Sequence, residues 1–239
     1  MTADRLARAV RRQLGHGRVL PLGGPGDTVW VTERAAAGVL RAAADAVPGI
    51  RLGTLRIGTA EGLDGPDALD APDGPHGGEP GNAAAVLPES APSGALPRRP
   101  LRVEAGFEAT PELPLPESAG RLRDALWEAA TEVGLEPEAV DLTVTGLLEE
   151  GSPPAAHPAE ADDPTEGGRT TTTAGRVAAA VPGVAGLTSR LGGQRHPSQV
   201  QIAVDAGHRA LDVGRAVATA VTAVTQEITT VVVTDIAGR

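Results

Sequence analysis

The sequence predicts an α/β (α+β) fold made of two small, related domains, and three observations lead to this prediction. Short β-branched runs alternate with stretches that carry an apolar stripe at helical spacing. The tetrapeptide "AVPG" occurs at 46–49 and again at 180–183, each time between alanines and a run of aliphatic residues. Around both copies the predicted order is helix, corner, strand, strand, helix, strand. We therefore predict a duplicated unit whose second copy is truncated.

Composition limits the chemistry that the chain can perform. Of its 239 residues 41% are hydrophobic, and the aromatic residues are Trp30, Phe107 and Trp127. The core must therefore be aliphatic. The chain has no cysteine and all 21 of its basic residues are arginine, which excludes disulfides, thiolate chemistry and lysine Schiff bases.

The negative charge is concentrated in two segments. Residues 59–100 hold seven acids and two arginines, a net −5, and residues 149–168 hold six acids and no base, a net −6. The formal charge of the chain is −10, so the remainder carries −10 + 11 = +1. Both segments are rich in glycine, proline and alanine, so we predict a disordered insertion at 59–100 and an acidic linker at 149–168.

The first predicted domain spans residues 28–148. Thr32 precedes an alanine-rich stretch as a helix N-cap, and Pro48 with Gly49 ends that helix. In chain order the predicted elements are a strand at 28–32, a helix at 33–47, strands at 50–57 and 101–109, a helix ending before Gly134, and a strand at 139–148.

The second predicted domain spans residues 169–237. Its elements are a helix ended by Pro182 and Gly183, strands at 184–191 and 200–208, a helix at 211–228 and a strand at 229–237. Its first strand is either missing or supplied by the threonine run at 170–173.

These motifs resemble the alkaline shock protein family, also described as Gls-type general stress or envelope stress response proteins of Gram-positive and actinobacterial cells. The resemblance is carried by "AVPGVAGLTSRLGG", "VQIAVDAG", "VGRAVATAVTAVTQEI" and "TTVVVTDIA" in the second half, and by "VTERAAAGVLRAAADAVPGIRLG" in the first. It covers most of the chain outside the linkers and the N-terminus. The acidic insertion and the loops before the second helix of each copy depart from the family pattern.

The resemblance implies a tandem pair of small α/β domains without enzymatic activity. It implies a scaffold or stress-response role near the cell membrane, reached through a protein partner that is itself membrane-anchored. The sequence has no run of about twenty apolar residues and no apolar signal core. The expected location is the cytoplasm, or the inner face of the cell membrane.

The N-terminal segment 1–20 is predicted to be a basic amphipathic helix. Such a helix binds either an anionic membrane surface or an apolar protein surface, and the pattern leaves both open. The residues predicted to make this contact are Arg5, Leu6, Arg8, Val10, Arg11, Arg12 and Leu14.

A second candidate contact surface lies on the last predicted helix. Four of its valines recur at helical spacing and are predicted to form a partner face, which would also serve self-association. They are Val213, Val217, Val221 and Val224.

Other functional classes have little support in the sequence. None of the five histidines has a second histidine three or four residues away, and no serine lies in a "GxSxG" context, so we expect no catalytic residue, metal or cofactor. Nucleic-acid binding is disfavoured because the second copy has no aromatic residue for stacking. The alternative function is a small-ligand-binding regulatory module, which convergence of Arg190, Arg195 and His208 on one pocket would favour.

Overall fold

The structure is a computed structural model that describes residues 17–59, 87–88, 90–148, 172–191 and 198–237. Its mixture of helices and strands confirms the predicted α+β class. The strands are β1 (Val19–Pro21), β2 (Val29–Thr32), β3 (Ile50–Thr59), β4 (Leu101–Ala109), β5 (Pro137–Leu147), β6 (Val184–Leu187), β7 (Gln199–Val204) and β8 (Thr230–Ile236). The helices are α1 (Glu33–Asp45), α2 (Leu115–Val133), α3 (Thr173–Ala179) and α4 (Ala210–Thr225).

The two "AVPG" sequences form the same kind of corner. Gly49 and Gly183 have φ angles of +74° and +88°, in the left-handed region that glycine adopts without steric cost. The carbonyl of Gly49 accepts the N–H of Thr110, just beyond β4, at 2.9 Å. The carbonyl of Gly183 accepts the N–H of Asp205, just beyond β7, also at 2.9 Å. Each corner therefore ties the start of one strand to the end of its neighbour.

Both halves of the chain also pair their strands in the same way. The strand after the corner is antiparallel to the next strand, and the strand after the crossover helix is parallel to that one: β3–β4–β5 in the first half and β6–β7–β8 in the second. Beyond each closing strand the next N–H bonds the last carbonyl of the middle strand, Leu148 to Ala109 and Ala237 to Val204, both at 2.9 Å. The duplication itself remains a prediction from the sequence.

Strand β2 differs from the prediction, because it does not join the sheet of the first half. It lies parallel to β8, with Val29 beside Val231 and Val31 beside Val233, while β1 is antiparallel to its other edge. Sheet one therefore has the order β1-β2-β8-β7-β6, and sheet two contains β3-β4-β5. The predicted boundary at residues 28–148 thus assigns to the first domain a strand that completes the sheet of the second.

The threonine run at 170–173 does not supply a first strand at Thr172 and Thr173. The Thr172 side chain accepts the N–H of Gly175 at 3.0 Å and caps α3, and Thr173 is the first residue of that helix. Thr32 caps α1 in the same way, accepting the N–H of Ala35 at 3.3 Å. The place beside β8 that a first strand of the second copy would take is occupied by β2.

One continuous apolar core joins the two halves. Helix α1 packs on α2 and β3 of the first half and on β8 of the second. The inner face of sheet one contributes Val29, Val31, Val231 and Val233 to the same cluster as Phe107 and the buried leucines of α2. The two halves therefore bury apolar surface against each other.

The predicted disordered insertion at 59–100 extends too far at both ends. Thr59 is the last residue of β3. Residues 90–98 run along sheet one: the N–H of Val19 bonds the carbonyl of Gly94 at 2.9 Å, and the N–H of Leu96 bonds the carbonyl of Val19 at 2.8 Å. Ala91 and Ala95 there pack against the buried cluster of Val19, Trp30 and Val232. The segment has few apolar side chains, and its backbone hydrogen bonds to β1 compensate for this. Composition alone does not reveal such backbone pairing.

The close approach of β2 to α4 depends on Gly214. A Cβ atom at this position would lie 2.4 Å from Val29 Cγ1, and Val29 is buried and stiff about χ1. We predict that Gly214→Ala destabilises the protein by about 1 kcal/mol, because overpacking costs about 1–3 kcal/mol and helix propensity returns up to about 1 kcal/mol. Urea unfolding measures the difference.

Gly38→Ala in α1 is the matched control. Apart from its chain neighbours and the backbone of its own helix, nothing lies within 4 Å of a Cβ built at Gly38, so only the propensity gain remains and stability should rise by about 0.5–1 kcal/mol. Equal effects of the two substitutions would show that β2 does not press against α4.

Candidate protein-contact site

The two surfaces predicted to contact partners have different outcomes. The N-terminal residues Arg5, Leu6, Arg8, Val10, Arg11, Arg12 and Leu14 lie outside the described residues. On α4, Val213, Val217 and Val221 are buried, and Val224 is 52% exposed. The regular valine stripe is thus the side of α4 that faces the core, and of these four side chains Val224 is the one available to a partner.

The arginines and histidine that would indicate a ligand pocket do not converge among the described residues. Arg190 pairs with Asp235, with Nη2 and Oδ2 3.4 Å apart. The exposed His208 lies by the corner at Gly183, where an added Cβ would come within 2.8 Å of its ring. Arg195 lies outside the described residues.

An open sheet edge offers backbone donors and acceptors to another chain, and most edges here are protected against this. The edge strand β1 is covered by the residue 90–98 segment through the two backbone bonds at Val19. Edge strand β6 has four residues and a register shift between Val184 and Gly186. Neither strand offers a long regular edge.

Edge strand β3 is protected by different means. Its register shifts between Leu52 and Leu55, and its edge-facing N–H at Ile57 donates to Glu33 Oε1 at 3.4 Å. Arg51 and Arg56 on this strand add charge to the edge. Bulges and charges of this kind disfavour pairing with a further strand.

The remaining edge strand, β5, has a long uncharged section. It has eleven residues, pairs with β4 on one side and is the last strand of sheet two. Its part from Leu142 to Leu147 contains no charged residue. Val144 is 41% exposed and Leu147 62% exposed. Among the described edges, β5 has the longest section without charge, although its register against β4 shifts at Thr145, between Val144 opposite Phe107 and Gly146 opposite Glu108.

The outer face of sheet two is less suited to apolar contact than the edge of β5. Its charges pair across the strands: Arg51 Nη1 lies 3.0 Å from Glu108 Oε2, and Arg102 Nε lies 3.0 Å from Asp141 Oδ2. Cross-strand pairs of this kind hold the sheet together and keep its face polar.

A cleft of about 480 Å³ lies between α4 and the loop that precedes β2. Its polar lining consists of Asp27, Thr28, Arg215, Thr219 and Thr222. Much of this polarity is used internally. Thr28 donates to the carbonyl of Thr229 at 2.7 Å, and Thr222 accepts the N–H of Thr229 at 3.2 Å.

The lining of the cleft includes an ion pair that joins the two halves of the sequence. Arg215 binds Asp27 through two bonds, Nε to Oδ1 at 2.7 Å and Nη2 to Oδ2 at 2.8 Å. The N–H of Gly24 also donates to Oδ2 at 2.8 Å. The bonds from Arg215, against the opposing effect of burial, hold the pKa of Asp27 below its ordinary value.

Arg98 secures the other side of the same loop. Its Nη1 donates to the carbonyls of Leu22 and Gly23 at 3.2 and 3.0 Å, and its Nη2 donates to the carbonyl of Asp27. Its guanidinium lies 5.1 Å from the centre of the Trp30 ring, within cation–π range. Burial lowers the pKa of Arg98. The loop before β2 is therefore anchored by both arginines, which fixes β2 beside β8.

Within the ranges that the structure describes, no group of three or more metal-binding side chains occurs. The helices described here include none that is both long and apolar enough to cross a membrane. No family model matches the chain, and neither a curated protein nor a solved structure matches it.

Sequence analysis did not single out β5 as a candidate contact strand, although a sign was present. The run "LTVTGLL" at 142–148 lacks the charge that natural edge strands carry. This lack of charge is informative only if β5 is an edge strand. The predicted first domain, however, grouped the strand at 28–32 with β5, so the edge could not be recognised. The pairing of β2 with β8 leaves this edge of β5 without a neighbouring strand among the residues that the structure describes.

We predict that Asp27→Asn weakens the protein most at neutral pH. The folded-state pKa of Asp27 is depressed, so the carboxylate stabilises the fold above its unfolded pKa of about 3.9, and this contribution is lost as the pH falls through the folded pKa. Urea unfolding of both proteins at pH 7 and below pH 4 should give a difference that shrinks in acid. A difference independent of pH would contradict the role of the charge.

Proposed function

We propose that this chain is a non-enzymatic protein that works through protein–protein contacts, as a scaffold in the envelope stress response. The observation that carries the proposal is the uncharged section of β5 at an edge of sheet two, which has no neighbouring strand among the described residues. Strand addition at such an edge gives affinity through backbone hydrogen bonds and specificity through alternate side chains.

The side chains along β5 support contact with protein. Val144 and Leu147 expose apolar surface next to the open backbone, and Thr143 and Thr145 are exposed residues of high strand propensity. A partner strand would therefore bury apolar surface and complete hydrogen bonds together.

The location at the inner face of the cell membrane is a separate part of the proposal. It draws on the resemblance to alkaline shock proteins and on the basic, amphipathic pattern of residues 1–20. A membrane-anchored protein partner is the expected means of attachment.

The alternative function is a cytoplasmic regulatory module that binds a small ligand. The cleft beside Asp27 and Arg215 favours it, since its volume lies in the range of small-molecule sites. Its support is weaker than that for protein contact, because Asp27, Arg215, Thr28 and Thr222 already hold the fold together.

Chemical cross-linking in the host cell, followed by size analysis of the tagged chain, tests the proposed function. We expect the wild-type chain in a cross-linked complex larger than the monomer. Val144→Lys should reduce that complex by about tenfold or more, because a buried, unpaired ammonium at the contact is costly.

Val224→Lys is the matched control, since Val224 is also an exposed valine but lies on α4, away from sheet two. It should leave the complex unchanged. Either a wild-type chain without any complex or a complex insensitive to Val144→Lys would contradict contact through β5.

A further inference from the structure

We infer that the exposed face of α2 around Trp127 is the docking surface for the basic N-terminal segment of the same chain, residues 1–16. That segment lies outside the described residues, and its sequence predicts a helix that binds either a membrane or an apolar protein surface. The inference selects the second of these and names the surface. It goes beyond the proposed function, because it does not use β5.

The docking face is centred on an exposed aromatic residue. Trp127 is 42% exposed and is the largest of the exposed apolar side chains among the described residues. Its neighbours Leu126, Ala129 and Ala130 point into the core, so the tryptophan lies at the solvent side of α2. Tryptophan offers a large apolar area to a partner and is frequently the anchor of a protein contact.

Acidic residues lie along α2 beside this tryptophan. Asp124, Glu128 and Glu132 recur every four residues, and residues 124–133 contain no basic residue. Neither Asp124 nor Glu128 belongs to an ion pair among the described residues. Like charges four residues apart destabilise a helix, and a cationic partner would remove this repulsion.

The N-terminal segment has the complementary charge. Residues 1–16 contain four arginines and one acid, a net 4 − 1 = +3, against −3 for residues 124–133. Arg8 and Arg12 are four residues apart, the same spacing as Asp124 and Glu128. In the predicted helix both arginines can therefore face both acids.

The apolar residues of the segment match the tryptophan in the same way. Leu6, Val10 and Leu14 recur every four residues and form the apolar stripe of the predicted helix. Packing this stripe on Trp127 removes apolar surface of both partners from water.

The point where the described chain begins allows the segment to reach α2. Gly17 lies against Glu33, the first residue of α1, since a Cβ at Gly17 would be 2.8 Å from Glu33 Oε2. The N–H of Arg18 donates to the same oxygen at 3.2 Å, and α1 packs on α2. Sixteen helical residues span about 24 Å, and the thirteen residues of α1 span about 20 Å. The segment therefore starts beside the neighbour of α2 and is longer than that neighbour.

Quenching of tryptophan fluorescence by acrylamide, which is uncharged, tests the inference on the purified full-length chain. Trp30 is buried, so most of the quenching reports on Trp127. The double variant Arg8→Glu, Arg12→Glu should raise the quenching constant by about twofold, because like charges then repel the segment from α2 and return the tryptophan to solvent.

Charge exchange separates docking from misfolding. Adding Asp124→Arg and Glu128→Arg to the double variant should return the quenching constant to its wild-type value, because the same pairs form with their signs exchanged. Asp205→Arg with Glu227→Arg is the matched control, since it reverses two exposed acids in the second half of the chain. Added to the double variant, this control should not restore the wild-type value.

Two results would overturn docking at α2: a double variant that is quenched like the wild type, or a quadruple variant that is not restored. A wild-type quenching constant that changes with protein concentration would place the segment on a second copy and overturn docking within one chain. None of these results depends on Val144, so the proposed contact through β5 stands or fails separately.

Discussion

The parallel pairing of β2 with β8 is the interaction on which the rest of this fold depends. The strand directly precedes α1, in the first half of the chain, yet it hydrogen-bonds the last strand of the second half. The ion pair of Asp27 with Arg215 and the carbonyl contacts of Arg98 hold the loop before it. Because α1 follows β2 directly, this pairing also sets α1 against β8 as well as against α2 and β3.

Sharing β2 has opposite consequences for the two sheets. Sheet one gains two strands, and the residue 90–98 segment protects its new edge. Sheet two keeps three strands, and the closing strand β5 has no neighbour among the described residues at the edge where β8 receives β2. The long uncharged edge is therefore a result of how the two halves share their strands. The same arrangement that unites the core leaves this edge of β5 without a neighbouring strand in the described part of the chain.

Local signals predicted the elements well, and long-range pairing limited the prediction. Capping by Thr32, the glycine corners and the alternation in β4 gave elements close to those observed, because each depends on neighbouring residues. The partner of β2 could not be predicted, since "VWVT" fits either closing strand equally well. Val224 and the buried valines of α4 share one helical stripe, so periodicity alone could not tell a core face from a contact face.

The most direct test of the shared strand is whether the chain unfolds as one unit. Trp127→Phe leaves Trp30 as the single tryptophan, buried in sheet one, while far-ultraviolet circular dichroism reports the helices and strands of both halves. Urea unfolding followed by both signals should give coincident transitions, because β2 and α1 bind the halves into one core. Loss of the Trp30 signal at a urea concentration separate from the main change in circular dichroism would show that the two halves unfold independently.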